Sequence, residues 1–204
     1  MNFDDLAALT LHDVKNRLAI LASRAEAKGD HETVHDALEA AAALSRLLVY
    51  YKAEKGQLTL DIEARVPADL LEELAAEIGQ QTALTVTSEL NGAPALFFYD
   101  ESLVRMILLN ALYNARRHAR QQIVIAVHQT PDGWLMFEVR DDGPGYPPRV
   151  LEQPLAMQAI SHEGTGLGLH LASRVAALHQ HAGQAGTIEL KNDGGAVFSL
   201  HLPQ

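Results

Sequence analysis

The stretch FYDESLVRMILLNALYNARRHA, Phe98 to Ala119, decides how the chain is read. It opens on aromatic residues of strand type and then runs without Gly or Pro through an apolar-periodic segment, which predicts a helix over about 101–120. Asn110 and Asn114 are four apart and so share one face of that helix. Met106, Ile107, Leu109 and Leu112 can hold the helix down. An asparagine carbonyl is a hard neutral oxygen, suited to a Mg²⁺ ion held mainly by phosphates. Arg117 follows nearly one turn after Asn114, within reach of a phosphate. Taken alone, the asparagines also read as a plain polar helix face.

Downstream, VRDDGPGYP ends a strand. Its glycines, Gly143 and Gly145, allow a tight turn close to a ligand. Asp141, at the strand end, is placed to accept a hydrogen bond from an exocyclic amine. A third piece, EGTGLGL, opens a helix at Gly164, Gly166 and Gly168, where backbone N–H groups and the helix dipole can face phosphates. Each piece has a bland reading by itself, since D-G and P-G pairs are common in turns. Around them lie a helix near 68–80, the strands ALTVTSEL and LFFY, and a hairpin of QIVIAVHQ and WLMFEVRD joined by TPDG. A helix near 166–181 and the final strands GTIELKN and AVFSLHL complete the chain. Mixed helices and antiparallel strands predict an α+β layer with helices on one face of a sheet.

Upstream the period is helical. Ala7, Leu11, Val14, Leu18, Leu21 and Ala25 recur at steps of four and three, as do Val34, Leu38, Ala41, Ser45 and Leu48. KGDHE between them supplies Gly29 as a helix stop and Asp30 as an N-cap. This predicts an antiparallel helical hairpin over residues 1–55, separate from a second domain over 56–204. A lone hairpin buries its seam poorly; two copies forming a four-helix bundle bury it well, so a homodimer through residues 1–55 is expected.

Asparagine helix, strand–DxGxG, GxGLGL–helix and terminal hairpin, in that order, resemble the ATP-binding domain of two-component sensor histidine kinases. That domain belongs to the wider group that includes gyrase, Hsp90 and MutL and has an α/β-sandwich fold. The resemblance covers about residues 57–204. It implies ATP and Mg²⁺ as cofactors, with Asn114 on Mg²⁺, Asn110 beside it, Arg117 on phosphate and His118 flanking the nucleotide. It also implies Asp141 on the adenine amino group, Gly143 and Gly145 shaping the pocket, and Gly164, Thr165, Gly166, Leu167 and Gly168 over the phosphates. ATP-hydrolysing relatives carry a glutamate base where Asn110 stands. An amide takes no proton from water near neutral pH, so the γ-phosphoryl needs another acceptor. Between Gly145 and Gly164 the family usually carries a Phe-containing box in a longer lid. Here YPPRVLEQPLAMQAISHE has no Phe, and a short lid is expected.

The family's acceptor is a histidine on the first hairpin helix, followed by an acid and, four residues on, Thr or Asn. HDVKN, with His12, Asp13 and Asn16, matches. His12 and Asn16 fall on the face turned away from the seam. Asp13 can fix the imidazole tautomer and stabilise the charge that develops on attack. Asn16 stands where the family's phosphatase-competent members place an amide or hydroxyl, which implies a role in orienting water against a partner's phospho-aspartate. Arg17 stands where many relatives kink the helix with proline, so this helix should run straight.

The resemblance therefore implies a kinase that autophosphorylates on His12 and passes the group to a response-regulator receiver domain. Its input would come from a separate sensor protein or from a longer protein of which the chain is part. Two alternatives remain. One is a phosphotransfer adaptor with a non-catalytic kinase-like domain, which would not need the intact nucleotide boxes. The other is an anti-sigma-factor type serine kinase, which would not need His12, Asp13 and Asn16.

Bulk properties narrow the rest. The chain has 204 residues, 48% of them hydrophobic and 21% charged, as a globular protein requires. A net charge of −10 argues against nucleic acid and anionic membrane as partners. The chain has no cysteine, which excludes disulfides and thiolate metal sites. With no signal peptide and no run of about 18 apolar residues, a cytoplasmic protein without a membrane span is expected. His31 and His35 have helical metal-ligand spacing but no third ligand. His179 and His181 sit near a helix end, where imidazolium suits the dipole.

Overall fold

In the computed structural model, residues 3–152 and 166–204 are described. The chain forms two compact units, Met1–Leu58 and Thr59–Gln204. The calls at Gly164, Thr165 and most of the expected lid lie outside the described residues.

The first unit pairs α1 (Phe3–Glu26) with α2 (His31–Glu54). The turn follows from its residues. Gly29 takes φ +70°, and Asp30 caps α2, its Oδ1 accepting the Thr33 N–H at 3.1 Å and its Oδ2 the Thr33 hydroxyl at 2.7 Å. These hydrogen bonds from Thr33 hold the Asp30 carboxyl below its ordinary value. The hairpin does not bury the expected seam. Of its described positions only Ala25 is buried, together with Ala22 and Ala37 outside it, whereas Val14, Leu21 and Leu38 are 39%, 46% and 55% exposed. One row of each helix thus meets its neighbour, and the other row is left uncovered within a single copy.

The second unit is built on a five-stranded sheet in the order β2-β4-β5-β9-β8, with a separate ribbon of β1 (Glu63–Arg65) and β3 (Phe97–Tyr99). β2 (Thr85–Glu89) runs parallel to β4 (Gln122–Gln129). β4 with β5 (Leu135–Asp141), β5 with β9 (Ala196–Leu202), and β9 with β8 (Thr187–Asn192) are antiparallel. Alternation sends one row of large apolar side chains to the helix side, while Ala126, Glu138, Val197 and Ser199 on the other row are also buried. Ile123, Ile125 and Val127, Leu135, Phe137 and Val139, and Phe198, Leu200 and Leu202 are buried on one face. On that face pack α3 (Pro67–Gly79), α4 (Glu101–His118) and α6 (Gly166–Leu178). Asp141 continues the Leu135–Phe137–Val139 row, so its carboxylate points to the helix side of the sheet.

α4 is the pivot of this layer. Its buried stripe is Val104, Ile107, Leu108, Ala111, Leu112 and Ala115, shifted slightly from the sequence expectation, with Met106 and Leu109 half-buried. Arg105 ties it to α3 by donating to Glu73 at 2.8 Å and Glu77 at 2.7 Å. Its N-cap is Asp100, buried at 4% exposure. Burial acts to raise the Asp100 pKa, but hydrogen bonds from Asp61 N–H (3.0 Å), Leu103 N–H (3.0 Å) and the Ser102 hydroxyl (2.7 Å) hold it below its ordinary value.

α6 ends at Leu178, earlier than the periodicity suggested, because His179 turns inward. Its Nε2 accepts the Asp100 N–H at 3.1 Å, and its Nδ1 lies 2.9 Å from the Val175 carbonyl. Both contacts are satisfied at once by the neutral tautomer with the proton on Nδ1. Burial pushes its pKa down, against the opposing effects of the Val175 hydrogen bond and the Asp100 charge. The expected charged imidazole at a helix end is therefore a neutral strut joining α6 to the start of α4. The two-residue strands β6 (Gln180–His181) and β7 (Gln184–Ala185) follow. β6, β7, the β1–β3 pairing and the short α5 (Pro148–Glu152) had no counterpart in the sequence reading. No described helix is long and apolar enough to cross a membrane.

A depressed histidine pKa has a definite linkage sign. The native state favours the neutral ring, so its contribution is complete above the unfolded value of about 6.5 and is lost as pH falls below it. His201, also pushed down by burial, acts in the same window. Thermal unfolding of the chain should therefore drop between pH 7 and pH 5, and His179→Gln should flatten part of that drop. A pH dependence unchanged by the substitution would contradict the assignment.

Candidate functional site

The site lies where the end of β5 passes under α4. Asp141 Oδ1 accepts the Gly143 N–H at 2.8 Å and the Ala196 N–H at 3.3 Å. Its other oxygen takes no hydrogen bond from the described residues. The next residue serves a different purpose: Asp142 Oδ1 accepts the N–H groups of Arg120 (2.8 Å), Gln121 (3.1 Å) and Gln122 (3.3 Å). These bonds, chiefly that from Gln121, hold the Asp142 carboxyl below its ordinary value. Asp142 thus fixes the turn from α4 into β4, while Asp141 faces the site.

Close approaches explain the glycines. A Cβ on Gly143 would overlap the His118 carbonyl oxygen and lie 2.8 Å from Asp141 Oδ1. Gly145 has φ +81° and lies against the side-chain amide of Asn192. Gly168, in the first turn of α6, abuts the side-chain amide of Asn110, so that helix begins directly on the asparagine face of α4.

Together these elements enclose a cavity of about 520 Å³. Asn114, Arg117 and His118 from α4 line it, with Asp141 from the end of β5 and Gly145 and Tyr146 from the loop after it. Ala111, Ala115, Val139, Leu169, Ala196 and Phe198 make the apolar part of its wall. An apolar slot with one free carboxylate oxygen and a basic, amide-bearing rim suits a flat amine-bearing base joined to an anionic group. Asn110 does not line the cavity; it occupies the contact with Gly168. Gly166 and Leu167 open α6, and nothing is described of the Leu167 side chain. In the other unit, His12, Asp13 and Asn16 lie on α1, and Asp13 and Asn16 are exposed. Among the described residues no group of three or more His, Asp or Glu could hold a metal. Asn114 alone fits a Mg²⁺ ion carried mainly by phosphate oxygens rather than by a protein cage.

Sequence reading missed part of this wall. Ala196 and Phe198 look like ordinary strand residues, and Tyr146 and Arg149 were read only as part of the lid. Tyr146 lies beside Asp141; burial, and then the Asp141 charge, push its hydroxyl pKa up, so the ring is a neutral wall at any ordinary pH.

This arrangement is that of the histidine kinase-, DNA gyrase B- and HSP90-like ATPase family, and the chain belongs to it: the family model matches residues 99–204. Within the family the chain is similar to two-component sensor histidine kinases. It is 34% identical over 154 residues to the signal transduction histidine-protein kinase AfsQ2 of Streptomyces coelicolor, covering 72% of this chain and 25% of that protein. It is 33% identical over 107 residues to the sensor protein BasS of Salmonella typhimurium, covering 51% and 29%. Full-length ShkA, solved in complex with AMPPNP, matches 98% of this chain and 45% of its own at TM-score 0.71 and 20% identity. The histidine kinase AdeS of Acinetobacter baumannii matches 94% and 96% at TM-score 0.64 and 19% identity. Likeness at such identities shows the fold. The chain spans 12–29% of the length of the first four curated relatives.

The C-terminal hairpin turn packs so tightly on the site that one methyl group tests it. A Cβ on Gly195 would overlap the backbone carbonyl oxygen of Asp141, a backbone atom and not the end of a flexible side chain. Gly195→Ala should destabilise the second unit by about 1–3 kcal/mol in denaturant unfolding. A neutral substitution would mean the turn can shift.

Proposed function

We propose that the chain is the phosphoacceptor and ATP-binding portion of a two-component histidine kinase. It would bind ATP, phosphorylate His12 and pass the group to an aspartate of a response-regulator receiver domain. The observation that carries this reading is the convergence of the unshared Asp141 oxygen with Asn114, Arg117 and His118 on one cavity. The kinase names of the curated relatives and the AMPPNP of the ShkA complex support it.

In this account the base enters the apolar slot and its exocyclic amine donates to Asp141. The phosphates extend toward Asn114 and Arg117, with the Gly164–Gly168 stretch over them. Asn114 would hold Mg²⁺, which supplies charge neutralisation for the phosphates when bound. Arg117 adds a fixed positive charge to the same end. Asn110 offers no carboxylate to take a proton from water, so the γ-phosphoryl is kept for a protein acceptor. The neutral His12 ring attacks phosphorus, the bond from phosphorus to the β,γ-bridging oxygen breaks, and ADP departs. Asp13, next in the chain, stabilises the imidazolium formed. The receiver aspartate then takes the phosphoryl group from the ring nitrogen. Asn16, one turn along, orients water for the reverse task of hydrolysing the receiver's phospho-aspartate.

Incubation with γ-labelled ATP and Mg²⁺ should give acid-labile, alkali-stable label on the native chain and background label on His12→Gln and Asn114→Ala. Label that survives in His12→Gln would move the acceptor elsewhere. A native chain that neither labels nor binds nucleotide would instead be a phosphotransfer adaptor.

The uncovered row of Val14, Leu21 and Leu38 supports a homodimer through residues 1–55, with Mg·ATP sites in both copies. Sedimentation should report a dimer for the native chain and a monomer for Leu21→Glu. A native monomer at micromolar concentration would contradict the four-helix arrangement.

A further inference from the structure

The turn between β8 and β9, residues 192–196, grips the loop after β5 at both ends. At one end the Ala196 N–H reaches Asp141 Oδ1, and Gly195 closes on the Asp141 carbonyl. At the other end Asn192 makes a reciprocal pair with the Tyr146 backbone. The Tyr146 N–H donates to Asn192 Oδ1 at 2.7 Å, and Asn192 Nδ2 donates to the Tyr146 carbonyl at 3.0 Å. An amide side chain here satisfies one residue's backbone donor and acceptor, as a neighbouring strand would.

The loop sequence makes this pair decisive. Pro147 and Pro148 have no N–H, so Tyr146 is the last residue before α5 whose backbone can donate to the rest of the fold. Gly145, on the other side, leaves room for the tether: a Cβ there would lie 2.7–2.8 Å from the Asn192 amide atoms. Only an amide of this length supplies both partners. Aspartate would set a carboxylate against the Tyr146 carbonyl, and alanine supplies neither partner. Tyr146 itself lines the cavity with Asp141.

We propose that Asn192 is a positioning residue of the nucleotide site, acting through Tyr146: it holds the Tyr146 peptide so that the ring forms part of the wall against the base. This rests on the reading that the cavity holds a nucleotide. Asn192 stands 46 residues from Tyr146 and does not itself line the cavity. Its effect is therefore on affinity and not on the phosphoryl transfer step.

The test is calorimetric titration of the full chain with Mg·ADP, which binds without turnover. Asn192→Ala and Asn192→Asp should each raise Kd about tenfold, the size of one or two net hydrogen bonds. Tyr146→Ala should do the same, and Asn192→Ala in the Tyr146→Ala background should add nothing further. In the labelling reaction Asn192→Ala should raise KM for ATP and leave the rate at saturating ATP unchanged. In the free protein, amide exchange at Tyr146 should accelerate in Asn192→Ala with the thermal midpoint nearly unchanged. If native protein binds Mg·ADP and Asn192→Ala binds it equally well, the positioning role is overturned while the nucleotide reading stands. Additive losses in the double variant would also overturn it. Failure of the native protein to bind Mg·ADP would instead overturn the nucleotide reading itself.

Discussion

The second unit depends on how one carboxylate is divided. Asp141 ends β5 on the helix-facing side of the sheet, where an ionised group is costly unless its oxygens are used. One oxygen is consumed by the fold: Gly143 and Ala196 both donate to it, which bends the chain out of β5 and pins the start of β9 beside it. The other takes no hydrogen bond from the described residues, and Asp141 lines a cavity whose wall is otherwise largely apolar. A ligand with a hydrogen-bond donor at that point completes the solvation that the fold leaves half finished. In the proposed function, structure and recognition are thus two uses of the same side chain.

Around that residue the packing has few alternatives. α4 is held at its start by the buried Asp100 cap and the His179 strut, along its length by Arg105 on α3, and at its end by Asp142 beneath Arg120–Gln122. Each anchor is polar and directional, so the helix is fixed in rotation as well as position. That rotation turns Asn114, Arg117 and His118 toward the cavity and sets Asn110 against Gly168. The small residues Ala111 and Ala115 leave the volume that larger side chains would fill.

Local signals in the sequence were sufficient for much of this. Asp30 after Gly29 in the hairpin turn, the β4–β5 hairpin, and the Gly143 and Gly145 turn each carry their own signature within a few residues. Features that depend on distant pairs left no such trace. β2 runs parallel to β4 across the whole of α4, and nothing in TVTSE specifies that neighbour. Asn192 and Tyr146 meet only because the terminal hairpin folds back onto the β5 loop. Asp141 and Asp142 are adjacent and chemically alike, yet the strand alternation sends one to the site and the other to the α4–β4 turn. His179 was placed near a helix end, where an imidazolium suits the dipole; the buried Asp100 N–H gives its neutral ring another partner. In the hairpin the periodicity put Val14, Leu21 and Leu38 on a seam, yet all three are exposed within one copy, because spacing alone does not say which surface a row of side chains meets.

The central claim is that Asp141 offers its free oxygen to the amine of a purine base. Equilibrium binding of Mg·ATP against Mg·GTP, in the native chain and in Asp141→Asn, tests it most directly. A carboxylate accepts from a 6-amino group and repels a 6-oxo group, so the native chain should prefer ATP by about a hundredfold, and an amide, which can donate as well as accept, should erase most of that preference. A native chain that binds GTP as readily as ATP, or an Asp141→Asn variant that keeps the full preference, would contradict it.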